Sequence, residues 1–484
     1  MRRGMQHQNF DHYLIKKKAI HIMDNQPVYI IGAGIAGMGA AHMLHQRGYR
    51  TITLESGEQP GGRAGFHRQD GFCFETGGKN FSSGHPIING FLNEFGLVDR
   101  DVQHASFHIV MDGALQGFDK NRTLTGDLSL AKALGLRGAL QFKKLIDTAF
   151  KHADKLHHAG NFIERFEWEH DHEPISAQFS QRLADGPLRM FSIIMGAAEP
   201  EETYYSSLLL FLAGFRAGSH HAIPGGIGKL FDGLSAGKEI RYGVSVRKII
   251  VRRNRVCGLL VRDGASERVI ETERVISAVP LHALRNMLDM SQEADAAASR
   301  IRYFPLALVN AVYDEDVFDD KMSSIMFDKR AHIGHCSANR LYQKNVVRFT
   351  LSGKRAREVL HLSDRELIDI AERDFKAIWP IRGKREYFHV QRHAGGICAY
   401  APHFSRVRRS LLSYFDGIKG FGAAGDYLEG HHMEGCLQSA QRAVERVVSE
   451  SADLRELAFT KGVRGCEEIV ASGPLSSREA QAYE

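Results

Sequence analysis

The first apolar run is short and dense: Val28, Tyr29, Ile30 and Ile31, followed by glycines at 32, 34 and 37 and a second apolar stretch that runs to Gln46. Four consecutive apolar residues that stop at a glycine suit a strand buried on both faces, and the segment after the glycines has helical length. The pattern predicts a strand, a tight turn, a helix over residues 36–46 stopped by Gly48, and a second strand over 51–55. Further along, residues 129–140, 142–158 and 176–196 carry apolar side chains at helical spacing, and 301–313 alternates as a half-buried strand does. Residues 204–215 are apolar but too short to cross a bilayer, and predict a core helix, with a surface that dips into lipid as the alternative. The uncharged run 26–46 is long enough for a span, but the glycines inside it favour strand, turn and helix.

The glycines carry the first chemistry. In Gly32-Ala33-Gly34-Ile35-Ala36-Gly37 the spacing gives a tight turn, close approach of backbone to a pyrophosphate, and close helix-to-strand packing. The helix that opens at Ala36 would turn its N-terminal N–H groups to the phosphates. Glu55, eighteen residues after Gly37, ends the second strand, where a carboxylate accepts hydrogen bonds from both adenosine ribose hydroxyls. This motif alone leaves NAD and FAD open. The continuation shifts the balance to FAD: Gly61-Gly62-Arg63, then Phe74-Glu75-Thr76-Gly77-Gly78-Lys79. A glycine pair followed by arginine lets the chain lie along a diphosphate while a guanidinium supplies a fork of donors; the plain alternative is a flexible loop.

With these segments the chain resembles the clan of FAD-dependent amine oxidases, protoporphyrinogen oxidases and phytoene desaturases. Three later segments continue the resemblance. Ile223-Pro224-Gly225-Gly226 looks like the clan's return to the FAD domain. Residues 240–249, 255–261 and 275–280 look like its middle strands, with Val246 matching the residue whose backbone meets adenine. The sequence from Gly420 through Gly425-Asp426 to Met433-Glu434-Gly435 looks like its closing motif. The resemblance implies that Asp426 binds ribityl or phosphate hydroxyls, that Gly77 and Gly78 lie beside the ring, and that the helix starting near Met433 points its positive end at the flavin, stabilising charge in the reduced state. It also implies an α/β fold: a Rossmann-type FAD-binding domain of the glutathione-reductase-like, amine-oxidase type, with an interleaved α+β substrate domain. The expected division gives residues 26–100, 219–298 and 395–455 to FAD and 101–218 and 299–394 to substrate, with tails at 1–25 and 456–484.

Composition is that of a large folded enzyme. The 484 residues are enough for two domains. The formal charge of +6 is mild for this length and its basic residues are scattered, so nucleic acid is not an expected partner. Six cysteines without a C-x-x-C pair favour a reducing compartment, no zinc site and a cytoplasmic location. Residues 1–23 are basic and His-rich with no apolar signal core, and are expected to be an upstream start, a tag remnant or a disordered tail. His220-His221 could suggest a metal site, but adjacent residues on an extended chain point opposite ways, and no metal is assigned.

The resemblance implies hydride chemistry on a small-molecule substrate, with oxygen or a quinone as electron acceptor; the chemistry resides in the cofactor, so no obligatory protein base is needed. Many amine oxidases carry a lysine in the strand matching 305–313; here Leu308 and Asn310 are the candidates, which favours a desaturase or dehydrogenase. Gly395-Gly396-Ile397-Cys398 resembles the monoamine-oxidase segment whose cysteine binds flavin covalently, one residue out of register; the alternative is a buried thiol. His432 matches an aromatic-cage tyrosine, or else caps a helix. Lys79 either pairs with an anionic substrate or is a solvated lysine. His432 and Lys79 are therefore the candidate catalytic residues. Flavin amine oxidation, FAD use without net redox change, and a non-redox binding protein on the same fold remain alternatives. Peripheral membrane contact is also compatible with the sequence.

Overall fold

The structure, a computed structural model, describes residues 26–69, 71–79, 81–97, 107–118, 128–156, 161–215, 220–221, 223, 225–319, 322–340 and 343–461. The expected tail at 1–25 lies outside these, as do Pro224 and residues 462–484 of the tail expected at 456–484; residues 456–461 of that tail instead continue the last helix.

The glycine-punctuated opening folds as β1 (Val28–Ile31), α1 (Ile35–Gln46) and β2 (Thr51–Leu54), each within a residue of expectation. The two strands pair in parallel, Ile31 beside Leu54. A hairpin of β3 (Phe66–Gln69) and β4 (Phe72–Glu75) follows, then β5 (Phe81–Ser82) and α2 (Pro86–Glu94). A second hairpin, β6 (Phe107–Met111) with β7 (Ala114–Phe118), leads into a helical region.

That region departs from the periodicity reading at its breaks. Residues 129–140 and 142–151 form one element, α3 (Leu128–Lys151), interrupted at Gly135, whose φ of 70° and ψ of 168° only glycine adopts readily; of the rest of the expected 142–158 helix, Ala153–Lys155 is a separate short turn and residues 157–158 lie outside the described residues. The next helix, α4 (Asn161–His170), was not anticipated. Residues 176–196 are several short turns ending in α5 (Arg189–Gly196), because Gly186 and Pro187 break the ladder of hydrogen bonds. The stretch 204–215 is α6 (Tyr205–Phe215), with Leu208, Leu209 and Leu212 buried. Each such leucine stabilises the core by roughly 1.5–3 kcal/mol, which makes α6 a core helix.

The chain returns through β8 (His220–His221), antiparallel to β5, and α7 (Gly228–Ser235). The run 240–249 splits into β9 (Glu239–Arg241) and β10 (Val244–Arg252) because Gly243, at φ +71°, turns the chain. β10 forms an antiparallel sheet with β11 (Arg255–Asp263) and β12 (Ser266–Glu271), and β13 (Val275–Ser277) rejoins β1. Two short helices, α8 (Leu281–Met287) and α9 (Gln292–Ser299), precede β14 (Arg302–Tyr313). Then come β15 (Ser324–Met326), β16 (Ile333–Arg340), β17 (Gln343–Leu351), α10 (Asp364–Lys376), β18 (Arg385–Ala399), α11 (Phe404–Asp416), β19 (Phe421–Ala423) and α12 (Met433–Lys461).

Two large sheets organise these pieces. One is parallel, ordered β19-β13-β1-β2-β9. Val28 and Ile30 enter the core with α1 and α12, whereas Tyr29 and Ile31 enter the opposite core with β10, β11 and α11. A strand buried on both faces explains the unbroken apolar run that encodes it. The other sheet has seven strands, ordered β18-β14-β17-β16-β15-β6-β7. On β14, Ala307, Val309, Ala311 and Tyr313 pack toward α10, while the even positions face the other way. This is the mixed α/β architecture expected from the sequence, and the parallel sheet is of the doubly wound kind, with its ligand crevice beyond the strands' carboxyl ends.

Candidate functional site

At the carboxyl end of β1 the three glycines have three physical roles. Gly32 has φ +96°, which sets the turn. A Cβ on Gly37 would lie 1.9 Å from the Gly32 carbonyl oxygen, so the helix can pack on the turn only without a side chain there. A Cβ on Gly34 would meet nothing within 4 Å, so open space lies over this residue. Gly34 is also the N-cap of α1, and no side chain caps the helix, whose first turn, including buried Ala36, holds no acidic residue. A helix start with uncapped N–H groups next to an open cradle is an anion site.

Glu55 reaches this turn from β2. Its Oε2 accepts the Ala33 N–H at 2.6 Å and its Oε1 the Gly57 N–H at 2.8 Å. Both bonds fix the carboxylate; Oε1 also accepts from the Ser56 hydroxyl at 3.4 Å, while Oε2 retains a lone pair for a further hydroxyl. The Gly61-Gly62-Arg63 segment is pinned alongside: the Gly61 N–H donates to the Ala33 carbonyl at 3.0 Å, and Gly62 is exposed. Val246 is buried on β10, an edge strand of its sheet, beside β2.

Arg63 extends from this loop to the closing motif. Its guanidinium donates to both Asp426 oxygens, at 2.5 and 3.1 Å, and to the Gly396 carbonyl at 3.2 Å. Burial works against the charge, but the Asp426 carboxylate outweighs it and holds the Arg63 pKa above its ordinary value. Asp426 is buried and also accepts from the Tyr303 hydroxyl at 3.1 Å, while its backbone carbonyl accepts from Tyr400 at 2.7 Å. The Gly425 N–H donates to Ser439 on α12 at 2.8 Å, which ties the motif to that helix. Gly77 is buried. The Gly78 N–H donates to the Arg63 carbonyl at 2.9 Å, and Gly78 is exposed near the side chain of Met433, the first residue of α12. Residues distant in sequence thus converge on one strip: phosphate turn, Arg63 with Asp426, Gly78, and the start of α12.

His432 stands immediately before α12 as its cap: its Nδ1 accepts the Gly435 N–H at 3.0 Å. Its surface is exposed, yet protein crowds the ring, and burial followed by His431 and His85 lowers its pKa to about 3. Nδ1 is an acceptor, so the ring is neutral with its proton on Nε2, and it stacks on His85 at 5.3 Å between centroids. His432 therefore caps the helix, with its ring against His85.

Lys79 is placed differently from its anion-pairing role. Its ammonium donates to Ser337 Oγ at 3.0 Å, the Ala338 carbonyl at 2.6 Å and the Asn339 carbonyl at 3.0 Å, so its three donors tether the Gly77-Gly78 segment to β16. Cys398 lies on β18 opposite Tyr303, 1% exposed, and burial pushes its thiol pKa well up. Leu308 and Asn310 are both buried on β14.

Several neighbours of the strip were not singled out in the sequence. His393 donates Nε2–H to the Thr76 carbonyl at 2.7 Å. His282 stacks edge-on against Tyr303 at 4.7 Å, and burial, with Arg63, lowers its pKa. Tyr303 and Tyr400 hold Asp426 from two strands. Nothing in the sequence marks them, because their partners lie far along the chain.

FAD fits this arrangement: open space over Gly34, an uncapped helix start, a fixed ribose carboxylate, exposed Gly62 and Gly78, and an arginine-aspartate pair between turn and α12. Fold and site together define a flavin-dependent oxidoreductase. The family model for flavin containing amine oxidoreductases matches residues 35–448, and the chain belongs to that family. The chain is similar to the 15-cis-phytoene desaturase of Glycine max, 23% identical over 473 residues that cover 90% of this chain and 81% of that protein. It is similar to the L-amino-acid oxidase of Daboia russelii over 72 residues at 36% identity, 14% of each chain. A solved putrescine oxidase variant superposes with a TM-score of 0.72 at 17% identity, covering 88% of this chain and 99% of that one, a likeness of fold. The protein is an FAD-dependent oxidoreductase, and a small-molecule substrate and an electron acceptor follow from that class. Among the described residues no group of three or more His, Cys, Asp or Glu is arranged to hold a metal, and no helix is long and apolar enough to cross a membrane.

Proposed function

We propose that the protein dehydrogenates a carbon–carbon bond of a largely apolar small molecule, with oxygen or a quinone as the final electron acceptor. The observation that carries this reading is β14, which presents Leu308 and Asn310, and no lysine, on the face turned toward the FAD-binding segments. The pattern of similarity supports it: likeness to the Glycine max desaturase extends over 90% of the chain, whereas likeness to the L-amino-acid oxidases of Daboia russelii and Lachesis muta runs over 72 and 117 residues.

FAD, when bound, supplies the two-electron acceptor for hydride. The chain's own residues hold and shield it. Arg63 and Asp426 would hold the middle of the cofactor and Glu55 its ribose, and the positive end of α12 would favour negative charge on the reduced cofactor. Leu306, Leu308, Ala197, Ala198 and Ala399 form an apolar wall between α5 and the seven-stranded sheet that excludes water. His432 is neutral and carries its proton on Nε2, so it can donate a hydrogen bond but does not serve as a cation.

The test is to mix the FAD-loaded protein anaerobically with amines, putrescine and L-leucine among them, and follow the visible flavin band. We expect no bleaching on the timescale of turnover. Rapid bleaching by an amine, with hydrogen peroxide and a carbonyl product in air, overturns the carbon–carbon assignment. The cytoplasmic location expected from cysteine usage is part of this proposal, and fractionation of the native host tests it.

A further inference from the structure

The seven-stranded sheet turns a polar row toward the FAD-binding segments. Register places Arg348 on β17 beside Asn310 on β14 and Ser337 on β16; one step along, Thr350 lies beside Leu308 and His335. The direction of this face is fixed by its contacts. Arg348 Nη1 donates to the Gly77 carbonyl at 2.7 Å, Asn310 Nδ2 lies 3.4 Å from the Glu75 carbonyl, and Lys79 reaches back to β16. The row therefore stands over the Gly77-Gly78 segment.

Arg348 is unusual in this position. The residue is 8% exposed, and among the described residues the bond to Gly77 is its only side-chain hydrogen bond; Nε is sealed from water with no acceptor. The Thr350 hydroxyl on the same face is likewise buried without a partner. A buried guanidinium with five donors ordinarily meets a carboxylate or several carbonyls. Here the Glu75 carboxylate acts on it only through space. Burial lowers the Arg348 pKa to about 10, so the cation persists at neutral pH. His335, which shares a 2.7 Å hydrogen bond with Ser324, is kept neutral by burial and then by Arg348 and Lys79, its pKa falling to about 3. Among the described residues Arg348 has no carboxylate in hydrogen-bond contact.

We propose that Arg348, with the Thr350 hydroxyl alongside, receives a carboxylate of the substrate, and that the substrate is an apolar acid whose chain lies along Leu308 and Leu306. This rests on the flavin oxidoreductase reading and narrows its substrate class. Leu306 and Leu308 pack with Ala197 and Ala198, so an apolar wall adjoins the cationic row on the same sheet face. Planar, bidentate recognition of a carboxylate is what a guanidinium supplies and an ammonium does not.

The experiment titrates the FAD-loaded protein with decanoate and with its neutral counterpart decanamide, by calorimetry and by perturbation of the flavin spectrum. Decanoate is expected to bind about tenfold or more tighter, the effect of one charge-assisted pair. Arg348→Gln should keep FAD and lose this preference, while Arg348→Lys keeps part of it. Equal affinity for both probes, binding of neither, or a preference that survives in Arg348→Gln overturns the proposal. If Arg348→Gln fails to hold FAD, Thr350→Val leaves the Gly77 contact intact and should weaken decanoate and spare decanamide; equal effects on both overturn it. A wild type that discriminates neither probe but holds FAD removes the acid site alone. A wild type that holds no FAD removes the flavin reading and the acid site with it.

Discussion

Gly34→Val separates the cofactor site from the fold. Gly34 has φ −71° and ψ 179°, an extended conformation open to any residue, and a Cβ there would touch nothing within 4 Å. Valine should therefore cost the cofactor-free protein about 1 kcal/mol or less, through the helix cap. Its methyl groups would occupy the space over the turn where a pyrophosphate must approach the backbone. A ligand at one hundred times its Kd stabilises the folded state by about 2.7 kcal/mol, and the variant should lose that whole increment. The assay is the FAD-to-protein ratio after gel filtration, together with unfolding midpoints with and without added FAD. The wild type should shift upward with FAD; Gly34→Val should start near the wild-type midpoint without FAD and not shift. Gly37→Ala is the contrast, because its Cβ would sit 1.9 Å from the Gly32 carbonyl oxygen and should lower the midpoint even without FAD. A Gly34→Val protein that binds FAD stoichiometrically and shows the wild-type shift refutes the assignment of the phosphate turn.

His432→Ala should alter turnover and leave FAD content intact, with about 1 kcal/mol lost because the Gly435 N–H loses its cap; kinetics identical to wild type on the true substrate would reduce His432 to a cap. Burial lifts the Glu167 pKa from 4.5 to about 7 even though the Ser405 N–H and hydroxyl donate to it. The folded state then binds the proton more tightly than the unfolded chain, so this contribution is full below pH 4.5 and is lost as pH rises through 7, by at most about 3 kcal/mol. Urea midpoints that fall across that window in wild type and flatten in Glu167→Gln are expected; an unchanged slope in the variant contradicts the argument. Arg189, buried, donates to both oxygens of Glu199 at 2.8 and 3.1 Å. Arg189→Met should cost about 3–5 kcal/mol by leaving that carboxylate buried and unpaired, and a urea-unfolding loss below 1 kcal/mol would show that the site relaxes.

What the sequence made legible was local. The strand-turn-helix at residues 28–46 is dictated by an apolar run and three glycines whose roles involve only near neighbours, and β14 by its alternation. The convergence of Glu55, Gly61, Gly62, Arg63 and Asp426 could be anticipated from the family resemblance, but not the bidentate Arg63–Asp426 pair, which spans 363 positions. The break at Gly186-Pro187 was hidden because apolar spacing continued across it. Lys79 could not be placed from sequence, since its partners are backbone carbonyls of a strand some 260 residues later. Arg348 gave no signal at all: one basic residue in an apolar strand acquires meaning only when sheet register sets it over Gly77.

The central claim is that this chain holds FAD without a covalent bond, and acid precipitation of the purified protein tests it most directly, with the visible spectrum recorded before and mass spectrometry of the supernatant after. The account predicts a yellow protein that releases intact FAD, because Cys398 is a buried thiol whose pKa is pushed up. Colour that stays with the pellet contradicts the non-covalent part and makes Cys398 an attachment site. A protein that carries no flavin and takes up none when FAD is added back contradicts the claim itself.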